Sequence, residues 1–517
     1  MLSVLAEARR SRITSVRAET WSTLVHDLQH SPNPIENRSY YMGRVVEDGS
    51  PLIVPRQVFC EHGHFPGDSG SGKTALGLAP WIEQTILFGD CSLIVVDLKA
   101  DSLELFATLT AARDALRFRT GQQLPLKYFT SQSHLSTYAF NPLTQPYWND
   151  FDPYSKTDIL CGAAGLLYGT DYGPGWYSAA NAAVLHHAIK QYPHVTTIRE
   201  LAERVRYCVT NAKKSELHPE LRNAGVHVQA ILDRLGSFDA LNVAPGTGHS
   251  PDVLDQAIDL RDVFRRPQIQ YFHLSATLAA GSAPEIARFL VYSLLCASTQ
   301  TKRECPVFLV IDEFQRMVAH NVEYLLQLAR SMGVGVILAN QSMQDLGDLI
   351  PAVEANCRYR QWFAVSSLED RERLIRSSGE TVEHFLSVSS GTSGSSTTTL
   401  SEQVVTRLSH NDISLATDHR LRSIVRISRG EGYAQYGGLP FVVQSNYHIS
   451  TEEYQRRKNM AWPDLAAGTF IPRDHRKPGP PPTADGPIIT TETIGHTGSN
   501  GTSRPRKDRK PSDGRQS

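Results

Sequence analysis

With 517 residues, of which 40% are hydrophobic and 20% charged, the chain has room for roughly two or three globular domains and shows no bias toward disorder. A formal net charge of −1 excludes a global basic field, so any nucleic-acid surface must be local. Seven scattered cysteines without a C-x-x-C pair exclude a disulfide frame or zinc ribbon, and no apolar run approaches the ~18–20 residues of a membrane helix; both point to the cytoplasm.

Residues 1–50 read as a helical or partly ordered lead-in. Arg9, Arg10, Arg12 and Arg17 stand among apolar residues there, as in a short amphipathic helix, without the apolar core of a signal peptide. Residues 51–65 read as strand and turn. His62 and His64 alternate as two metal ligands would, but with no third ligand nearby ordinary strand chemistry is the expectation. Then comes Gly67-Asp68-Ser69-Gly70-Ser71-Gly72-Lys73-Thr74, which fits the phosphate-loop pattern G-x-x-x-x-G-K-[ST] at every fixed position. Glycines let successive N–H groups turn toward one anion, and the helix expected from about Lys73 adds its positive dipole end. All eight residues are candidate nucleotide contacts. Lys73 would reach the β- and γ-phosphates, and the Thr74 hydroxyl would hold Mg²⁺.

Leu93-Ile94-Val95-Val96-Asp97 reads as a buried parallel strand ending in a carboxylate, with a helix-like pattern starting at Leu98. Lys127-Tyr128-Phe129 is another short strand. Between 148 and 266 the apolar spacing turns helical and implies an all-α insertion. One segment there contains Ala179, Ala182, Ala183, His186, His187 and Ile189; a second contains Ile198, Leu201, Val205, Cys208 and Val209; a third contains Val228, Ile231, Leu232 and Leu235. Arg204, Arg206, Lys213, Lys214 and Arg222 in this block either face a nucleic acid or form a solvated helix face, the commoner outcome.

Strand patterns resume at 269–274, 307–311, 334–339 and 359–365, alternating with helical segments at 284–299, 318–332 and 368–377. The expected fold is therefore α/β, with a mainly parallel sheet covered on both faces. The sheet domain would comprise 51–147 and 267–450. Within it, the Ser/Thr/Gly-rich residues 386–401 read as a mobile loop, and Ser423–Ile427, Gly432–Gln435 and Phe441–Gln444 as closing edge strands. Residues 468–517 form a Pro/Gly-rich, basic tail that cannot bury a core.

Val307–Ile311 delivers two adjacent carboxylates, Asp312 and Glu313, about 240 residues after the phosphate loop. In phosphate-loop enzymes the first helps hold Mg²⁺ and the following glutamate can polarise the attacking water. The next strand delivers Gln341, placed to sense the γ-phosphate or orient water. Arg330 precedes that strand and is a candidate arginine finger for a neighbouring subunit, with a surface cation as the alternative.

Taken as an ordered series, Gly67–Thr74, Asp97-Leu98-Lys99-Ala100-Asp101, Phe140-Asn141-Pro142-Leu143, Ile311-Asp312-Glu313-Phe314, Leu328–Gly335 and Ala339-Asn340-Gln341-Ser342 resemble the VirD4/TraG/TraD type IV coupling proteins, within the FtsK–HerA class of DNA-pumping ATPases. The resemblance spans roughly 55–450. It implies a RecA-like P-loop NTPase domain with an inserted all-α domain, assembled as a homo-hexamer around DNA, with ATP and Mg²⁺ as cofactors. It also implies that Arg330 acts in trans and Gln341 as sensor, and that relaxase or secretion-channel components are partners. Two departures stand out. The family's D-P-K-G-[DE] lacks its proline and glycine at Asp97–Asp101, and the expected N-terminal membrane helices are missing, so attachment at the inner membrane would be peripheral. Two alternatives remain: a soluble HerA-like ATPase of DNA repair or anti-phage defence, and a nucleotide-gated recruitment module without motor action.

Overall fold

The computed structural model describes residues 21–167, 174–318, 322–390, 396–419, 421–428, 438–463 and 470. The expected amphipathic segment before residue 21, the strand at Gly432–Gln435 and the tail from 471 onward lie outside them. No helix of the described residues is long and apolar enough to cross a membrane.

The strands are β1 (Ser39–Val45), β2 (Pro51–Pro55), β3 (Gly63–Pro66), β4 (Ser92–Asp97), β5 (Leu126–Thr130), β6 (Ile269–His273), β7 (Val307–Asp312), β8 (Val334–Asn340), β9 (Tyr359–Trp362), β10 (Glu380–Ser390), β11 (Ser396–Thr406), β12 (Arg422–Ile427) and β13 (Phe441–Gln444). Eleven of them form one sheet in the order β2-β1-β13-β12-β9-β3-β8-β7-β4-β6-β5. From β9 to β5 every pairing is parallel, and from β12 to β2 the strands run antiparallel. The fold is thus α/β with a mostly parallel sheet.

Side-chain alternation explains why the central strands are continuously apolar. In β7, Val307, Leu309 and Ile311 enter one core, while Phe308 and Val310 enter the other; Val334, Val336 and Leu338 of β8 divide from Ile337 and Ala339 in the same way. A strand covered by helices on both faces has no solvent side on which to place polar residues. Gly335 shows how close that covering is: a Cβ there would stand 2.6 Å from the Phe308 ring and 2.7 Å from the Phe59 carbonyl oxygen.

Between β5 and β6 the described residues form helices and loops, chiefly Pro153–Ala163, Pro174–Gln191, Ile198–Thr210 and Arg222–Gly236. The third expected helical face is buried as read, and so is the second apart from Val209, which is half-buried against the core. In Pro174–Gln191, however, the inward face runs through Ala180, Val184, Leu185, Ala188 and Ile189; of the expected face only Ile189 is buried, and Ala179 is exposed. Alanine on every side gives that helix too little contrast for spacing to reveal its orientation. Of the basic residues in this block, Arg206 pairs with Asp233 at 2.9 Å and Arg204 with Glu200 at 3.3 Å.

Three local expectations change. Residues 386–390 and 396–401 are strand rather than loop: β10 and β11 pair from Glu380↔Thr406 to Ser390↔Ser396, and their Val, Thr and Phe residues favour strands. β12 and β13 lie inside the sheet, since β1 from the lead-in and β2 directly after it add beyond β13 and take the edge. Residues Arg56–Cys60 form a short helix before β3.

His62 and His64 are built into the interior. Nδ1 of His62 accepts the Val336 N–H at 3.0 Å and its Nε2 donates to the Leu326 carbonyl at 2.9 Å, which requires the neutral ring. Burial lowers the pKa of His62, His64 and His273 to about 4. An unfolded histidine titrates near 6.5, so the unfolded chain binds more protons between these values. The stability from keeping these rings neutral is complete above about pH 6.5 and is lost as pH falls through 4. The expected result is that the parent's thermal advantage over His62→Gln shrinks as pH is lowered across that window, by about 1.4 kcal/mol per pH unit. A pH-independent difference in melting would show that His62 is not held neutral.

Candidate functional site

β3 lies between β8 and β9 and hands the chain to the phosphate loop at the carboxyl end of the parallel strands, where open α/β sheets place their ligands. The loop's first residues are pinned to both neighbours. Gly67 N–H donates to the Asn340 carbonyl at 3.1 Å, and Asp68 N–H donates to that of Ala364 at 3.4 Å. A Cβ on Gly67 would come within 2.2 Å of the Phe363 carbonyl oxygen, so glycine is required there by the close approach of two backbones. Gly70 and Gly72 are required for another reason, with φ of +76° and +88°. The loop then enters Lys73–Leu78, wound as a π-helix, which continues as Ala79–Phe88.

Lys73 folds inward. Its side chain is 8% exposed, and Nζ lies 3.4 Å from Glu313 Oε1 and 3.4 Å from the Gly67 carbonyl oxygen. Glu313 takes a left-handed conformation (φ 57°), which turns its carboxylate back toward the loop. Oε2 of Glu313 accepts hydrogen bonds from Gln315 Nε2 at 2.6 Å and Gln341 Nε2 at 3.1 Å, and Arg316 Nε stands 4.0 Å away. A non-glycine residue in this region is strained, and here three side chains hold it there.

Asp312 ends β7 directly beside Asp97, which ends β4 in register with it. Burial, then the charges of Asp97 and Glu313, push the Asp312 carboxyl up to about 7, with Lys73 opposing them. Burial also raises Asp97, although that carboxylate accepts N–H groups from Ala100 at 2.8 Å and Lys99 at 3.1 Å and the Tyr271 hydroxyl at 2.8 Å. Three carboxylates against one buried ammonium leave an excess of negative charge, which suits a divalent cation. Thr74 and Asp312 are the residues that would hold Mg²⁺. When bound, the ion supplies neutralisation of phosphate charge.

A cavity of about 700 Å³ opens over the loop, lined by Ser69, Gly70, Gly72, Lys73, Thr74 and Glu313 on one side. Tyr447, His448, Thr451 and Tyr454 line the other, together with Lys99 and Glu104. The Tyr447–Tyr454 part of this wall was not legible in the sequence, because it lies far along the chain and carries no motif. It is fastened by Arg457, whose guanidinium reaches Glu83 at 3.5 Å and Thr108 at 3.2 Å. Asp97 did have a readable signal as a carboxylate ending an apolar strand, the same pattern that marks Asp312.

Arg330 stands apart. It precedes β8 and pairs with the buried Glu61, which precedes β3, at 3.1 Å; Arg358 Nε reaches the same carboxylate at 2.8 Å. These are the amino ends of the parallel strands, so the length of β8, about 20 Å, separates Arg330 from the loop. The structure therefore gathers Lys73, Asp312, Glu313 and Gln341 around the loop and leaves Arg330, its side chain 44% exposed, at the opposite end of the sheet.

No family model matches the sequence. No curated relative matches it either. The fold is similar to that of the bacterial conjugative coupling protein TrwBdeltaN70 in its unbound form, at 14% identity and a TM-score of 0.53, over 83% of this chain and 92% of that one. Two further structures of TrwB are similar to it: with ADP and Mg²⁺ (14% identity, TM-score 0.52, 83% and 92% covered) and with the ATP analogue ADPNP (13%, 0.52, 83% and 93%). At this identity the likeness is one of fold.

Proposed function

We propose that this chain hydrolyses ATP with Mg²⁺ and uses the energy to move DNA, in the manner of the type IV coupling proteins it resembles. The observation that carries the reading is the 3.4 Å approach of the Lys73 ammonium to the Glu313 carboxylate across 240 residues of sequence. In this reading the Gly67–Thr74 backbone and Lys73 bind the triphosphate, Glu313 takes a proton from the attacking water, and Gln341 positions that carboxylate and senses the γ-phosphate. The ATPase domain comprises 51–147 and 267–450, with 148–266 as an α insertion. The nucleotides bound by TrwB, in a fold similar to this one, support the same assignment here.

Arg330 acts on the nucleotide of an adjacent subunit in a homo-hexameric ring around DNA. Its exposure and its distance from its own loop support a role in trans. Relaxase or secretion-channel components are the partners that would bring the ring to the inner membrane.

The test is ATP turnover with and without single- and double-stranded DNA, beside a mass measurement in the presence of nucleotide. DNA-stimulated turnover by a six-chain assembly is expected. Mixing Arg330→Ala with Lys73→Ala chains should restore part of the activity that neither has alone. Turnover indifferent to DNA would reduce the chain to a nucleotide-gated module, and no recovery on mixing would remove Arg330 from the reaction.

A further inference from the structure

A second cavity, of about 580 Å³, lies where β9 and β12 meet the helix Leu368–Ser377. Arg360 and Arg426, both lining it, stand directly opposite one another in the antiparallel β9–β12 pair, where like charges repel. Arg360 is 5% exposed. Its Nη2 donates to Ser428 Oγ at 3.2 Å, and its Cζ lies 5.9 Å from the centroid of the Trp362 ring, yet its buried Nε has no hydrogen-bond partner among the described residues. Arg426 Nε donates to the Gly438 carbonyl at 2.8 Å. Among the described residues no carboxylate lies within ion-pair distance of either guanidinium; Glu354 and Glu372 in the same wall are paired with Arg373 at 3.5 Å and Arg376 at 3.3 Å. Burial, followed by the charge of Arg426, lowers the pKa of Arg360, with Cys357 and Glu354 opposing them.

Asp370, also lining the cavity, supplies the complementary vacancy. Its Oδ2 accepts from Ser342 Oγ at 3.0 Å and Met343 N–H at 3.1 Å, while its Oδ1 is buried without a partner among the described residues. Buried polar groups are ordinarily satisfied, and each exception calls for a cause. Two residues lining one cavity, a cation and an anion, thus each carry a buried polar atom without a hydrogen-bond partner among the described residues. A ligand carrying both an anion and a hydroxyl donor would complement the charges of these lining side chains.

We propose that this cavity binds a sugar phosphate, its phosphate on Arg360 and Arg426 and a sugar hydroxyl donating to Asp370. Two planar guanidinium forks suit the several oxygens of a phosphate, and a carboxylate is a common partner of sugar hydroxyls. The volume is that of a small-molecule site. The acidic Glu369 and Glu372 in the lining disfavour a polyanionic strand and favour a single phosphorylated unit. The proposal does not depend on the phosphate loop.

The test is titration calorimetry on the full chain with inorganic phosphate, ribose 5-phosphate and AMP, in the parent and in the Lys73→Ala background. Ribose 5-phosphate should bind more tightly than inorganic phosphate in both backgrounds. Its affinity should fall about tenfold or more in Arg426→Gln and in Arg360→Gln. Asp370→Asn should remove its advantage over inorganic phosphate. AMP binding more tightly than ribose 5-phosphate in the Lys73→Ala background would support the site with a nucleotide as its ligand; equal affinity would support it with a free sugar phosphate. Melting curves identify any variant that fails to fold, and Arg426→Gln, at the less buried of the two arginines, carries the test should Arg360→Gln do so. No saturable binding at millimolar concentration, affinities indifferent to both arginines, loss of binding in Lys73→Ala, or equal affinity for inorganic phosphate and ribose 5-phosphate would each overturn the proposal.

Discussion

Lys73→Ala is expected to reduce ATP turnover by at least 10²–10³-fold, the scale on which a preorganised charge at a reacting centre acts. Nucleotide affinity should fall as well, because the ammonium meets the phosphates in the ground state and as charge develops. The side chain makes two long contacts, each of 3.4 Å, with Glu313 and the Gly67 carbonyl oxygen. Its removal leaves Glu313 buried, but with the Gln315 and Gln341 amides still donating to it. A loss of about 1–3 kcal/mol is the corresponding cost, and a domain of ordinary stability remains folded. Phosphate release at saturating Mg²⁺–ATP, beside a melting curve, checks both halves. A folded variant that still turns over within a few-fold of the parent would dissociate Lys73 from the chemistry.

Glu313→Gln separates binding from hydrolysis. The amide keeps the shape of the side chain and the left-handed backbone it occupies, but it cannot take a proton from water. Turnover is expected to drop by about 10²–10⁴-fold, the usual contribution of a general base, with nucleotide affinity close to that of the parent. Single-turnover hydrolysis together with nucleotide binding at equilibrium distinguishes this from the Lys73 variant, in which both fall. Parent-like hydrolysis would reassign the base, and weakened binding with intact hydrolysis would make Glu313 a structural partner of Lys73.

Three carboxylates with one buried lysine give this site its electrostatic character, and Asp312 registers it. Its carboxyl is pushed up to about 7 by burial and by its acidic neighbours. A cation held by Thr74 and Asp312 would oppose these causes by favouring the charged carboxylate. Metal binding and deprotonation of Asp312 are therefore linked, and affinity for Mg²⁺ should rise with pH through neutrality.

Local chemistry was enough to reveal much of this protein. The phosphate loop is legible because its glycines and its lysine answer constraints confined to eight consecutive residues. β4, β7 and β8 are legible because strands buried on both faces must be apolar throughout, and Asp312 and Glu313 stand out by ending one of them. Contrast decided the helices: Ile198–Thr210 and Arg222–Gly236 have apolar and charged faces, whereas the alanine-rich Pro174–Gln191 does not.

Only the tertiary structure could decide which segments meet. β1 and β2, rather than β12 and β13, close the sheet edge, because pairing partners far apart in sequence leave no periodic trace in either one. The same holds for the wall at Tyr447–Tyr454 that faces the loop, for the Glu61 carboxylate that holds Arg330 at the far end of β8, and for Arg360 set opposite Arg426. A residue's type and spacing record the surface it must present, but its partner is selected by packing across the whole chain.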